Sequence, residues 1–149
     1  MSVTDLNLSA AHAEVKAEIA RTDSKTSLLL AFVGALLAGT WTVAKDTALT
    51  VPTCTVGGLG MALLLAAAGL LLSSVRPNLS VRHGFPLWAT LSAEEITAEL
   101  AEDQRARDIA GLARIAVRKF TALKRAVDLT RAGGALLVLV ALLQAGGAL

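Results

Sequence analysis

The 149-residue chain has few residues of the kinds that carry catalysis or bind metals. Its single cysteine, Cys54, excludes an internal disulfide and a cysteine-rich metal site. The two histidines, His12 and His83, are isolated, and no cluster of His, Cys and carboxylate residues has metal-ligand spacing. No glycine-rich phosphate loop follows a strand pattern. We therefore predict no catalytic residues, no metal site and no enzymatic activity.

Charge is missing from long stretches of the chain. Residues 27–44 and 56–75 are apolar blocks of 18 and 20 residues without a charged side chain, and a third block covers 132–149. A hydrocarbon core about 30 Å thick takes roughly 20 helical residues to cross. We predict three transmembrane helices over these ranges. Because no ionisable residue lies in them, a proton- or ion-coupled transporter is disfavoured.

The segment before the first span has the pattern of a helix, and its seven charges do not fit a cleaved secretory signal. Its apolar and small residues recur on one face from Leu8 to Thr26. We expect one retained helix over about 8–44, partly in water and partly in lipid. Trp41 lies near its outer end, where an indole suits the membrane interface.

The middle of the chain contains a strong helix start. Ser92 and Glu95 have the spacing of a capping box, and we predict a helix over about 92–131. A bend or fray is expected in the polar stretch 103–108. Whether the helix continues unbroken through Gly133 and Gly134 into the third span stays open. Residues 46–52 are expected to form the turn between the first two spans. The second helix should stop before Pro77, and an irregular connector follows to residue 89.

The distribution of Lys and Arg predicts the orientation. Three lie before the first span, one lies between the first two spans, and ten lie between residues 76 and 131. The positive-inside rule places the N-terminus and the 76–131 segment in the cytoplasm, and the C-terminus outside. We predict a single-domain, all-α membrane protein over 1–149. Its cytoplasmic helices, about 8–26 and 92–131, should form a helical bundle, within one subunit or between subunits.

Basic residues form a stripe on the 92–131 helix. Arg107, Arg114, Arg118 and Arg125 share one side, and Lys119, Lys124 and Arg131 add charge toward the membrane end. Contact with anionic lipid headgroups, ion pairs with acids of a neighbour, and capture of a soluble phosphate ligand all suit this stripe.

Charges also gather just before the first span. Glu18 and Arg21 are one helical turn apart and can pair, and Lys25 can extend to headgroups. Two interpretations are open for the Asp23 carboxylate. It pairs with a cation on the basic 92–131 helix, or it belongs to a local solvated face. Trp88, in the connector, should contact the inner membrane surface or cap the bundle.

Small residues recur every four positions in two spans. The stripes are Ala31, Ala35 and Gly39 in the first span, and Gly58, Ala62 and Ala66 in the second. Such stripes let transmembrane backbones approach closely. They favour packing within one subunit or contacts between subunits.

Three of these stretches together resemble a bacterial family, the membrane-spanning effectors of Pycsar antiphage systems. The run EIARTDSKTSLL over 18–29 resembles its entry motif, LSAEE over 91–95 resembles its mid-chain helix start, and VRKFTALKRA over 117–126 resembles its basic run. The likeness covers about residues 14–143. It implies that a partner cyclase makes cyclic UMP or cyclic CMP on infection, and that the effector then compromises the inner membrane.

One departure bears on ligand sensing, because the sequence lacks a separate cyclic-nucleotide-binding domain. Either the cytoplasmic helices sense the nucleotide or another protein relays the signal. Our hypothesis is an oligomeric inner-membrane effector, without a nucleic-acid partner or a cofactor beyond that nucleotide. The hypothesised ligand residues are Arg21, Lys25, Arg114 and Arg118. The predicted structural or interface residues are Glu18, Asp23, Trp41, Trp88, Lys124 and Arg125. The rival hypothesis is a non-lytic membrane scaffold whose cytoplasmic helices recruit a partner protein.

Overall fold

The computed structural model describes residues 2–47, 50–76 and 85–146, and it contains five helices and no strand in these ranges. The helices are α1 (Val3–Lys45), α2 (Val51–Val75), α3 (Phe85–Trp88), α4 (Ala93–Leu100) and α5 (Arg105–Gly146). Three of them, α1, α2 and α5, are long and apolar enough to cross a membrane. The predicted all-α class with three candidate spans is confirmed.

Helix α1 confirms the prediction of one continuous helix, but it begins at Val3 rather than near Leu8. The cause is a capping arrangement at the chain start. The Asp5 amide donates to the Ser2 hydroxyl oxygen at 3.1 Å, and the Ser2 amide donates to Asp5 Oδ2 at 2.9 Å. Ser2 and Asp5 thus have the same spacing as Ser92 and Glu95, a serine followed three residues later by an acid.

Helix α2 begins at Val51, five residues before the predicted start of the second span. The Thr50 carbonyl accepts from the Cys54 amide at 2.9 Å and starts the helical hydrogen-bond pattern. Pro52 lies in the first turn, where its missing N–H would have no intrahelical partner in any case. The expectation that this proline belongs to the turn was therefore wrong.

The predicted helix over 92–131 is two helices. Its capping box is confirmed, since the Ser92 amide donates to Glu95 Oε2 at 2.8 Å and the Glu95 amide donates to Ser92 Oγ at 3.3 Å. The chain then leaves helical geometry at 101–104, at the edge of the polar stretch where a bend was expected.

Helix α5 resolves the question about the third span, because it runs through Gly133 and Gly134 to Gly146 without a break. Residues 147–149 of the predicted span lie outside the described residues. The predicted irregular connector is partly wrong, since it contains the short helix α3, while its residues 78–84 lie outside the described ranges.

The chain divides into two compact units. The polar unit comprises Met1–Thr22 and Arg76–Lys119, and the span unit comprises Asp23–Val75 and Phe120–Leu149. Helices α1 and α5 each contribute residues to both units.

The span unit has an apolar core. Its fully buried hydrophobic residues are Val33, Leu64, Ala67, Leu71 and Ala126. Ala67, Leu71 and Ala126 form one cluster, and leucines of α1, α2 and α5 pack around it. The segments of α1, α2 and α5 in this unit therefore pack on one another.

Two buried glycines mark a close approach of α2 and α5 in the span unit. A Cβ at Gly133 would lie 2.9 Å from the Gly60 carbonyl oxygen, and a Cβ at Gly60 would lie 3.1 Å from the Gly133 carbonyl oxygen. The two backbones approach because neither residue carries a side chain.

The predicted small-residue stripes do not make this contact. All six stripe residues are exposed on the chain, and a Cβ at Gly39 or Gly58 would meet open space. The interpretation that these stripes pack within one subunit was therefore wrong. Contact between subunits stays a prediction for them.

Candidate functional site

The basic stripe lies on the exposed side of α5. Arg114 and Arg118 belong to the polar unit, while Lys124 and Arg125 belong to the span unit. All four side chains are exposed, and within the described ranges none of them forms a side-chain hydrogen bond or ion pair. Their charges are therefore available to an external anion.

The charges before the first span form one local pair. Arg21 donates from its guanidinium to Glu18 Oε2 at 3.2 Å, and 71% of the Arg21 side chain is exposed. Surface pairs of this kind contribute at most about 1 kcal/mol, so Arg21 can exchange its partner readily. Lys25 is exposed and Asp23 is half-buried, both in the span unit.

The predicted ligand residues are divided between the two units. Arg21, Arg114 and Arg118 belong to the polar unit, and in the described part of the chain no hydrogen bond or ion pair joins their side chains. Lys25 belongs to the span unit. Their role as a nucleotide site stays a prediction.

The two tryptophans have different surroundings. Trp41 is 68% exposed near the end of α1, and its predicted interfacial role stays a prediction. Trp88 is the last residue of α3 and lines a groove in the polar unit with residues of α4, the 101–104 segment and α5.

An extensive polar cluster in the described part of the polar unit centres on Arg105, which the sequence analysis did not single out. Its Nε donates to Asp103 Oδ1 at 2.8 Å and its terminal nitrogen Nη2 donates to Asp103 Oδ2 at 2.6 Å. This is a bidentate fork between a guanidinium and a carboxylate. Asp103 Oδ1 also accepts the backbone N–H of Arg105 at 3.1 Å.

Arg105 also binds the start of α1. Nη1 donates to the Asp5 carbonyl oxygen at 3.1 Å and to Ser9 Oγ at 2.7 Å, while Nη2 donates to Asp5 Oδ1 at 3.0 Å. These three bonds and the two to Asp103 use all five N–H groups of the guanidinium. We name the set Asp5, Ser9, Asp103 and Arg105 the Arg105 clamp.

The clamp keeps its acids ionised. Hydrogen bonds from the Arg105 side chain and backbone lower the pKa of Asp103 from 3.8 to about 2. The pKa of Asp5 is also lowered, chiefly by the Ser2 amide and hydroxyl and further by Arg105. The pKa of Arg105 is raised above its already high value, mainly by its bond to Asp103. The clamp is therefore fully charged at neutral pH.

The groove beside the clamp has a volume of about 370 Å³ and is acidic. Its charged lining residues are Glu99, Glu102, Asp103, Arg105 and Asp108. Gln104 Nε2 donates to Glu99 Oε1 at 2.8 Å beside it. Four carboxylates against one saturated guanidinium disfavour a phosphate ligand here, so the exposed stripe suits an anion better.

Metal ligation has no centre in the part of the chain that the structure describes. No three His, Cys, Asp or Glu residues there are placed to hold an ion. His12 is half-buried in α1, and His83 lies outside the described residues.

Comparison with known proteins decides the family. The family model of the Pycsar effector protein domain matches residues 7–146, which is nearly the whole chain. The chain belongs to this family. The resemblance of residues 14–143 noted in the sequence is thereby confirmed, and the matched range includes all three candidate spans apart from the first residues of α1. No curated protein and no solved structure gives a significant match.

Membership in the Pycsar effector family identifies the general role as that of an effector in antiphage defence. It associates the chain with cyclic-nucleotide signalling from a cyclase, and the three apolar helices indicate a membrane protein.

Part of the clamp had a local signal in this Pycsar effector sequence. Asp103 lies two residues before Arg105, and its side chain accepts the Arg105 backbone N–H. Aspartate side chains often accept the amide two residues further on at turns and helix starts. Ser2 and Asp5 have capping-box spacing. The pairing of Asp5 with Arg105 spans 100 residues, and no local pattern indicates it.

Proposed function

We propose that this effector acts in the bacterial inner membrane, is triggered by a cyclic pyrimidine nucleotide from a partner cyclase, and impairs the membrane as an oligomer. The observation that carries this proposal is the coincidence of three candidate spans with a Pycsar effector match over residues 7–146. A chain with this composition can act on the bilayer directly.

The orientation follows from the basic residues. Ten of the 14 Lys and Arg residues lie in residues 76–131, between the second and third spans. The positive-inside rule favours a cytoplasmic location for this segment and for the N-terminus. The nucleotide is made inside the cell, so the candidate ligand residues would be on the side where it appears.

The candidate ligand residues are Arg21, Lys25, Arg114 and Arg118. Their exposure supports the proposal, because a guanidinium with free N–H groups can bind a phosphate bidentately. Arg105, whose donors are all in use, is not available in the same way. A nucleotide can trigger the effector only if it binds the active arrangement more tightly than the resting one.

The action on the membrane is proposed to be a disruption or a transient opening of the bilayer. The spans contain no ionisable residue that would line a permanent aqueous pore. The exposed stripes of small residues on α1 and α2 suit close contacts between copies of the chain, which supports an oligomer.

The direct test follows membrane potential in cells. The effector is expressed with its cyclase, and a voltage-sensitive dye reports polarisation after cyclic UMP or cyclic CMP is produced. A cyclase without catalytic activity is the control. Depolarisation only with the active cyclase supports the proposal, whereas unchanged potential with both nucleotides overturns it.

The ligand residues are tested on the purified protein in detergent. Arg114→Ala with Arg118→Ala is expected to weaken nucleotide binding by roughly 10-fold or more, since two charge-assisted contacts are lost. Lys45→Ala is the control, because Lys45 is also exposed and lies outside the basic stripe. Equal affinity of both variants for cyclic UMP and cyclic CMP would remove these arginines from the site.

The scaffold hypothesis predicts a different result with liposomes. A scaffold recruits a partner and leaves the bilayer intact. Release of a trapped dye from liposomes that contain only this protein and the nucleotide supports the effector, while retention of the dye with bound nucleotide supports the scaffold.

A further inference from the structure

We propose that the Arg105 clamp is an autoinhibitory contact that holds the start of α1 against the start of α5 in the resting effector. The inference rests on the proposed function, because it assigns a resting state to a protein that acts when triggered. It concerns a site distinct from the candidate nucleotide residues.

The polar unit is less deeply packed than the span unit. Its apolar side chains, among them Leu8, Ile109 and Leu112, are only half-buried. In its described residues no hydrophobic side chain is fully buried, and α4 has no buried residue. Val3 and Leu6, in the first turns of α1, are 75% and 51% exposed. Segments with few buried apolar contacts open at low free-energy cost, and switching elements are drawn from such segments.

The clamp is specific in geometry and open to release. One guanidinium makes five hydrogen bonds to four acceptor groups on two segments that are far apart in sequence. About a third of the Arg105 side chain and more of the two acids remain exposed. Exposed charged contacts are individually weak, so a modest difference in ligand affinity between two arrangements suffices to open this one.

Both sides of the clamp belong to helices that also contain candidate spans. Helix α1 continues from Asp5 and Ser9 to Lys45, and α5 continues from Arg105 to Gly146, each without a break. Opening the clamp therefore releases the ends of two helices that carry spans. A change in the polar unit has a continuous helical path toward the membrane along each of them.

The physical test measures backbone protection. Hydrogen exchange of the amides in residues 3–9 is compared for full-length wild type, Arg105→Ala and Arg107→Ala in detergent. Arg107 is the matched control, since it is exposed and, among the described residues, its side chain makes one hydrogen bond, to Gln104 Oε1 at 3.4 Å. Arg105→Ala should raise the exchange rate about tenfold while Arg107→Ala leaves it unchanged. Equal rates in all three proteins overturn the clamp.

The functional test uses cells without a cyclase, with equal amounts of each variant confirmed in the membrane fraction. Arg105→Ala is expected to depolarise cells without nucleotide, while wild type and Arg107→Ala stay silent. If Arg105→Ala does not reach the membrane, Arg105→Lys serves in its place. It keeps the charge but offers three donors and no planar fork, so partial release is expected.

A parallel arm with the active cyclase separates the two proposals. Wild type that responds to the cyclase, together with a silent Arg105→Ala whose α1 start is exposed to exchange, overturns autoinhibition and leaves the proposed function intact. Depolarisation by Arg105→Ala alone, with wild type insensitive to the cyclase, supports the clamp and overturns the nucleotide trigger.

Discussion

The two units of this effector are stabilised by different interactions. In the span unit, fully buried leucines and alanines form a core and two glycines bring α2 and α5 together. In the polar unit, apolar side chains such as Leu8, Val15 and Ile109 are half-buried, and helix caps and the Arg105 clamp add polar contacts. None of its described hydrophobic residues is fully buried.

Because of this difference, we expect the span unit to resist rearrangement and the polar unit to permit it. Close packing among the buried residues of the span unit depends on shape, so a change of side-chain volume at one of these residues is costly. The polar unit combines half-buried apolar side chains with hydrogen bonds whose donors and acceptors water or an anion can replace. We therefore expect the span unit to persist through activation and the polar unit to rearrange.

The largest expected effect is the loss of a core side chain in the span unit. Leu64→Ala should lower the free energy of unfolding by about 2–5 kcal/mol, because Leu64 is fully buried and its removal leaves a cavity. Reversible unfolding in mixed micelles measures this change. Leu65→Ala is the control, since Leu65 is 59% exposed and its loss should cost far less. Equal losses for both variants would contradict the described core.

The next effect is at the glycine contact. Gly133→Ala should destabilise the span unit by about 1–3 kcal/mol, because its Cβ would meet the Gly60 carbonyl oxygen, a backbone atom that moves only with its helix. The neighbouring Gly134→Ala has open space and should be neutral or stabilising by up to about 1 kcal/mol. The same micelle measurement compares them. A reversed order would show that α2 and α5 do not approach at these residues.

A smaller effect is expected at a cap in the polar unit. Ser92→Ala removes the acceptor of the Glu95 amide and should weaken α4 by about 0.5–2 kcal/mol. Hydrogen exchange at α4 amides should rise, with no change in the span unit. Ser92→Asn retains a capping oxygen and should restore most of the protection. Unfolding of the span unit by Ser92→Ala would contradict the separation of the two units.

The smallest effect is that of pH near neutrality. The folded pKa of Asp103 is about 2, below its unfolded value of 3.8. Its contribution to stability is complete above the unfolded value and is lost as the pH falls through the folded one. The protection of the backbone amides of residues 3–9 against hydrogen exchange should therefore stay constant from about pH 5 to about pH 8 and decline only in strong acid. A marked change near neutral pH would show that another group controls the clamp.

The sequence alone predicted the elements whose signal is local. Apolar length predicted the three candidate spans, and the spacing of Ser92 and Glu95 predicted the start of α4. The start of α1 was missed although Ser2 and Asp5 carry an equivalent pattern, because the apolar periodicity becomes clear only further on. Pro52 was assigned to the turn because proline is common in turns. Proline is equally tolerated in the first turn of a helix, so the residue type alone does not distinguish the two positions.

The contacts between distant segments could not be predicted. The small-residue pattern suggested Gly58 for close packing, whereas the described contact uses Gly60, two positions along and therefore on another side of α2. Likewise, one arginine among ten basic residues between 76 and 131 meets Asp5, and composition does not distinguish it from the others. Such choices depend on tertiary geometry, which a single sequence does not reveal.

The carboxylate of Asp5 joins two functions in one side chain. Its Oδ2 accepts from the Ser2 amide and hydroxyl in the first turn of α1, and its Oδ1 accepts from Arg105. Detachment from the guanidinium thus removes a restraint on the same group that starts the helix. Unwinding of that turn adds chain entropy to the released state, so heat should favour detachment of Asp5 from Arg105. This detachment and the unwinding of the first turn of α1 should occur as a single cooperative step.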